Sequence, residues 1–163
     1  AMILGELATV PRALILDVGG FTADYLLLKN GRADLSTCDS LENGVILLYN
    51  RIRSKASSDL DILLEETDVD AILLQGQGSS YGEEVAARVE YQTQEFVNDM
   101  LGALRERQLD LRTGRVIFVG GGACLLRRQI ETSGKVAHPV FVEDVNANAK
   151  GFEYLYRCTV TGA

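Results

Sequence analysis

Histidine is almost absent: one residue, His138, in a chain of 163. No CxxC and no HExxH occurs either, so a zinc site of the usual ligand spacing is excluded. The three cysteines, Cys38, Cys124 and Cys158, are odd in number and widely spread. That argues against a disulfide framework and for a reduced, cytoplasmic setting. Positive charge is also short: 16 Lys and Arg against 23 Asp and Glu leave a net charge of −7. A nucleic-acid surface dominated by Lys and Arg is therefore not expected, although a nucleotide held by backbone N–H groups and a metal remains open. No apolar run approaches the roughly 20 residues that a membrane-spanning helix needs. The N-terminus shows no basic region followed by an apolar core, so no signal peptide is expected. What is present is globular: 47% hydrophobic and 24% charged residues, enough for one ordinary domain or a core layer with a small insertion.

Local patterns predict the element order. Ala13–Val18 reads as a strand, Gly19–Phe21 as a turn and residues 22–29 as a second strand. Asn30-Gly31 fits a tight hairpin turn, and a third strand is expected at 32–38. A helix follows, capped by Ser40 or Asn43, with Val45, Leu47, Leu48 and Ile52 on one face. Arg51, Arg53 and Lys55 lie toward its end. Ser57 or Ser58 would open a short helix at Leu60–Glu66. Thr67 and Asp70 read as a capping box for Asp68–Gln75, a segment that could instead be a strand. Gln75–Tyr81 is a loop. The longest helix is predicted at 83–108, with Val85, Val89, Phe96, Met100 and Leu104 on its buried face. Arg115–Val119 is a strand of the kind buried on both faces. Gly120-Gly121-Gly122 then leads into a helix at about 123–132, Val140–Val142 is a short strand, and Ala147–Arg157 a closing helix. Ala1–Arg12 reads as a short lead-in helix and linker. This order implies an α/β fold: a three-strand antiparallel meander continued by parallel crossovers into one mixed five-stranded sheet flanked by helices. The segment from about 53 to 95 reads as a small helical subdomain inserted in the larger one.

Two motifs carry candidate chemistry. In Asp17-Val-Gly-Gly-Phe-Thr22 the glycines let backbone N–H groups approach an anion. Asp17 could hold Mg²⁺ through water, and Thr22 could donate its hydroxyl to a phosphate. The alternative is a plain hairpin whose Asp bonds its own turn. In Gly120-Gly121-Gly122, a strand end, three glycines and a helix start leave room for a flat ligand against the backbone. One glycine would suffice for a tight turn. Other signals fail. No GxxxxGK[ST] is present, and Gly76, Gly78 and Gly82 are spaced one residue too long for a dinucleotide fingerprint. Cys124 reads as packed, His138 as a loop residue, and Arg51, Arg53 and Lys55 as a solvated helix face unless that face borders a ligand.

A strand ending in Asp-x-Gly-Gly-x-Thr, about a hundred residues before one ending in Gly-Gly-Gly-Ala123, resembles the second half of the actin-like ATPase fold. That ribonuclease H-like superfamily includes actin, heat-shock chaperones, sugar kinases, MreB and the ParM/StbA plasmid-segregation proteins. Here Asp17–Thr22 resembles the second phosphate motif and Val119–Ala123 the adenosine motif. Asn146–Tyr156 resembles the closing helix of ParM-like proteins. The helical segment after the meander and the helix at 83–108 favour ParM/StbA. Phe21 departs from the pattern, which has a small residue there.

The resemblance implies ATP and Mg²⁺ as cofactors. Gly19, Gly20 and Thr22 would face the phosphates and Asp17 the metal. Gly120, Gly121, Gly122 and Ala123 would line the adenosine, and Arg51 or Lys55 would border the base. It also implies that the N-terminal half, with the first phosphate motif and the water-orienting residue, is absent. No catalytic residue is thus expected in this half, which alone would bind ATP weakly and hydrolyse it negligibly. The implied partners are that N-terminal half, further copies in a filament, and an adaptor bound to plasmid DNA, with no direct nucleic acid and no membrane contact. Alternatives are another branch of the superfamily (a chaperone, a sugar kinase, a PilM- or FtsA-like protein) or a degenerate fold kept as an interaction module.

Overall fold

A computed structural model describes residues 10–75 and 81–143. The expected closing helix at 147–157, most of the lead-in, and loop residues 76–80 with Gly76 and Gly78 lie outside the described residues.

Three strands, β1 (Arg12–Val18), β2 (Ala23–Lys29) and β3 (Arg32–Leu41), form the expected antiparallel meander. Asn30 and Gly31 turn the β2–β3 hairpin with φ of 49° and 73°, the paired positive values that the tight turn requires. β3 runs further than the expected 32–38. Its register jumps between Leu26 and Leu27, so residues 35–37 bulge from the sheet edge. Asp34 organises this bulge. It accepts the N–H of Ser36 at 3.2 Å and its hydroxyl at 2.6 Å, and pairs with Lys29 at 2.7 Å. The Lys29 contact, with these hydrogen bonds, holds its carboxyl well below the usual range.

Two further strands, β4 (Arg115–Val119) and β5 (Pro139–Phe141), pair in parallel. The sheet order is β3-β2-β1-β4-β5, with β4 parallel to β1. This is the mixed five-stranded sheet expected from the sequence. Phe118 and Phe141 stack at 5.0 Å between ring centres and bind the short β5 to β4.

One face of the sheet carries helices α1 (Val45–Leu60), α2 (Glu66–Gln75) and α3 (Gly82–Glu106). Val85, Val89, Phe96, Met100 and Leu104 are all buried, as their spacing predicts. Each such side chain stabilises the fold by about 1.5–3 kcal/mol on leaving water. Two short helices, α4 (Gly121–Leu125) and α5 (Arg127–Thr132), replace the single expected helix at 123–132. Among the described residues no helix is long and apolar enough to cross a membrane.

Several local expectations are corrected. Neither Ser40 nor Asn43 caps α1: Gly44 occupies the N-cap without a side-chain bond, and Ser40 lies in β3 bonded to Asp24. Leu47 turns to solvent, while Leu48 and Ile52 are buried. Ser57 and Ser58 are inside α1, and residues 61–65 are not helical. The ambiguous segment at 68–74 is helical. At its start Asp68 accepts the N–H of Glu65 at 2.8 Å, one bond of a capping box set two residues before the expected one. Arg53 is not merely solvated, since its Nε donates to the carbonyl of Leu64 at 3.0 Å.

Candidate nucleotide-binding site

The two glycine motifs meet at one end of the sheet. β1 and β4 are parallel neighbours with Asp17 beside Val119, so both chains leave the sheet side by side. Close approach then demands glycine. A Cβ on Gly120 would fall on Oδ1 of Asp17 and 2.7 Å from the carbonyl of Val18, and its φ is +89°. A Cβ on Gly122 would lie 2.7 Å from both the Val18 carbonyl and Cγ1 of Val45. Gly121 differs: a Cβ there would meet open space. The surplus of glycines noted in the sequence thus divides. Gly120 and Gly122 are needed for packing, and Gly121 stands free.

The first motif is held by α1. The N–H groups of Gly44, Val45 and Ile46 donate to the carbonyls of Phe21, Gly19 and Gly20 at 3.1, 3.1 and 2.9 Å. The turn itself therefore caps the helix, which explains why no Ser or Asn is needed there. Within the turn, the N–H of Gly19 donates to the carbonyl of Thr22 at 2.9 Å.

Between these parts lies a cavity of about 450 Å³, within the range of small-molecule sites. Gly19 and Gly20 wall one side, Gly121 and Gly122 another, with Cys124 and Leu125 of α4 beside them. The third wall is Val45 and Tyr49 of α1 with Asp70 and Leu74 of α2. The Tyr49 hydroxyl donates to Oδ1 of Asp70 at 2.6 Å. Burial, and then this bond, push the Tyr49 hydroxyl well above its ordinary pKa, so it remains a donor at neutral pH.

Of the residues singled out in the sequence, Gly19, Gly20, Gly121 and Gly122 line the cavity. Asp17 stands behind them against Gly120. Thr22 donates its hydroxyl to Asp24 at 3.2 Å rather than into the cavity. Ala123 is fully buried beneath the turn. Phe21 is 80% exposed, so its bulk costs the turn no space. Arg51 and Lys55 do not line the cavity. Arg51 faces α3, bonded to Asp99 at 2.9 Å and lying 5.9 Å from the Phe96 ring centre, and Lys55 is exposed further along α1.

Sequence reasoning missed Gly44, Tyr49, Asp70 and Leu74. The sequence offered Ser40 or Asn43 as the cap, and nothing local marks the tertiary closeness of Gly44 to the first glycine turn. Tyr49 and Asp70 are 21 residues apart on different helices.

The family model described as archaeal actin homologue MreB-like, C-terminal, matches residues 15–132, from β1 through α5. The chain belongs to this family. No curated protein sequence matches it. Among solved structures it is similar to Ta0583, an archaeal actin homologue, with 18% identity and a TM-score of 0.66 over 96% of this chain and 54% of that one. It is similar to apo pSK41 ParM, with 17% identity and a TM-score of 0.63 over 96% and 44% of the two chains. Bacillus thuringiensis ParM with ADP follows, with 12% identity and a TM-score of 0.58 over 88% and 49%. These likenesses confirm the actin-like fold. The chain spans about half the length of these solved relatives.

Proposed function

We propose that this chain is the nucleotide-binding C-terminal half of an actin-like ATPase of ParM/StbA type. On this reading the intact protein assembles into filaments with ATP and Mg²⁺ and moves plasmid DNA through an adaptor. The observation that carries the reading is the convergence of both glycine turns on one cavity. In ParM-type relatives solved with ADP, ATP or AMPPNP the same fold accompanies a nucleotide, and Alp12 is solved as a filament.

The residues fit such a ligand. Gly19, Gly20 and Gly121 offer backbone without side chains, as a phosphate group needs. Val45, Leu74 and Leu125 offer apolar surface for a base, and the Tyr49–Asp70 pair offers polar atoms for a sugar or base edge. Among the described residues no three His, Cys, Asp or Glu side chains gather to hold a metal. A magnesium ion would therefore rest on phosphate oxygens and water, with Asp17, behind the glycine turns, as the carboxylate that would reach it through water. Phosphoryl transfer needs positioning and charge from several directions, so the chain alone would bind nucleotide and not turn it over. The water-orienting residue would come from an N-terminal half, and the helical segment at about 53–95 would be that of an inserted subdomain.

The test is titration of this chain with ATP and MgCl₂, followed by scattering and phosphate release by the full-length protein. Weak binding by the chain, with ATP-driven scattering that decays as phosphate appears, is expected. Full-length protein that binds no nucleotide would sink the reading in favour of an interaction module.

A further inference from the structure

A second cavity lies at the end of the sheet where β4 begins, away from both glycine turns. It measures about 490 Å³, and two loops form it. One, Gln108–Arg112, leads from α3 toward β4, and the other, Gly134–Lys135, follows α5. Arg105, Arg112 and Lys135 stand around it, with Leu109 and Leu111 buried beneath. The chain as a whole has a net charge of −7, so three cations around one hollow reverse that charge locally.

The loops are fixed by their own bonds. The N–H of Leu109 donates to the carbonyl of Leu104 at 3.1 Å. That of Ala137 donates to the carbonyl of Leu111 at 3.0 Å and ties the second loop to the first. Arg112 bridges the loops as well, its Nη1 donating to the carbonyl of Gly134 at 2.6 Å. The rest of that guanidinium keeps N–H groups for a further acceptor. The Lys135 Nζ lies 3.4 Å from the carbonyl of Asn98 on α3. Two of the three cations are thus held by carbonyls, which position them without neutralising them. Among the described residues none of the three pairs with a carboxylate.

Asp110 is the one acid in the lining. Its carboxylate accepts the Thr113 hydroxyl, the N–H of Arg112 at 2.7 Å and the N–H of Thr113 at 3.2 Å. The Thr113 hydroxyl, and then the Arg112 N–H, hold this carboxyl below its usual range. It is therefore charged, with its acceptors already used by its own loop. Three cations against one carboxylate leave the lining at +2. Just outside, Glu106 and Arg107 offset each other. Positive charge gathered in a hollow focuses its field on an anion, and Arg forks match the paired oxygens of phosphate and carboxylate groups.

We infer that this cavity binds a compact oxyanion of two or more charges, a diphosphate or a polycarboxylate, gripped by Arg105, Arg112 and Lys135. A multivalent ligand is required because a single negative charge would leave the lining positive. The volume is that of a small-molecule site. The cavity shares no residue with the candidate nucleotide site, and the inference stands whether or not that site takes a nucleotide.

The experiment is calorimetric titration of the full-length protein, free of nucleotide and at low salt, with sodium pyrophosphate and with sodium citrate. At least one of them is expected to bind, and to bind more weakly as KCl is added. Arg105→Gln with Lys135→Gln is expected to weaken that binding tenfold or more. Arg105→Lys with Lys135→Arg keeps both charges and is expected to stay within a few-fold of the parent. Arg112 is left in place because it also ties the two loops. Melting without ligand, expected to be unchanged in both pairs, separates lost affinity from lost fold. Tighter pyrophosphate assigns the cavity to diphosphates, and tighter citrate to polycarboxylates. Failure of both anions to bind the parent would overturn the inference. So would a glutamine pair that binds as the parent does, since the anion then sits elsewhere, the glycine turns included. A charge-keeping pair that loses as much affinity as the glutamine pair would overturn it too.

Discussion

The N–H of Gly44 donates to the carbonyl of Phe21 at 3.1 Å, across an approach so close that a Cβ on Gly44 would overlap the backbone of Gly20 and Phe21. Helix α1 and the first glycine turn are therefore one unit. Gly44 is extended, with φ of −82°, so its requirement is for space and not for an unusual backbone angle. Because α1 also carries Tyr49, any shift of the turn moves one wall of the cavity with it.

Gly44→Ala is accordingly expected to destabilise the fold by about 1–3 kcal/mol, the cost of overpacking against atoms that cannot give way. Urea unfolding checks the stability. Nucleotide titration below the transition should show weaker binding than the parent.

Gly120 and Gly121 are neighbours with opposite expectations. Gly120→Ala places a methyl on Asp17 and the Val18 carbonyl at a φ of +89°, and a strained backbone of this kind costs about 1–3 kcal/mol. Gly121→Ala meets nothing, and is expected to be neutral or to stabilise by about 0.4–1 kcal/mol. Its methyl, however, enters the cavity. Lower ATP affinity in a Gly121→Ala protein of undiminished stability would locate the ligand at this turn. Unchanged affinity would place it elsewhere.

Tyr49→Phe leaves Asp70 without its 2.6 Å donor in a half-buried place, and is expected to cost about 1–3 kcal/mol. It also changes the response to alkali. The folded hydroxyl titrates above its ordinary value, so the folded state keeps a proton that the unfolded chain releases. The associated stability is complete below about pH 10 and is lost as pH rises through the folded value. Denaturant midpoints measured at rising pH should fall less steeply in Tyr49→Phe than in the parent.

Arg51→Ala tests the reading that this residue borders the base. Arg51 instead bonds Asp99 and lies against the ring of Phe96, a partly exposed pair worth about 0.5–1 kcal/mol. A small drop in stability with unaltered nucleotide affinity is expected. A clear loss of affinity would return Arg51 to the site.

Strand and helix patterns were legible because they are local. The alternation and turn residues of Ala13–Thr22, the Asn30-Gly31 hairpin and the long spacing Val85–Leu104 each act within a few residues. The motifs Asp17–Thr22 and Gly120–Ala123 pointed to the family through their pattern of residues, although only Gly120 and Gly122 among their glycines answer a demand for space.

What the tertiary structure decided are the relations between distant segments. Gly44 replaces Ser40 and Asn43 as the cap because the N–H groups of α1 find carbonyls of a turn more than twenty residues earlier. Tyr49 meets Asp70 because α1 and α2 pack, and Arg51 turns from the cavity because α3 offers Asp99 and a ring. Of three adjacent glycines, packing against β1 requires two and leaves Gly121 facing open space. Local spacing specifies which residues share an element. Which atoms lie within 3 Å of each other across elements depends on how those elements pack, and that packing placed the cavity walls.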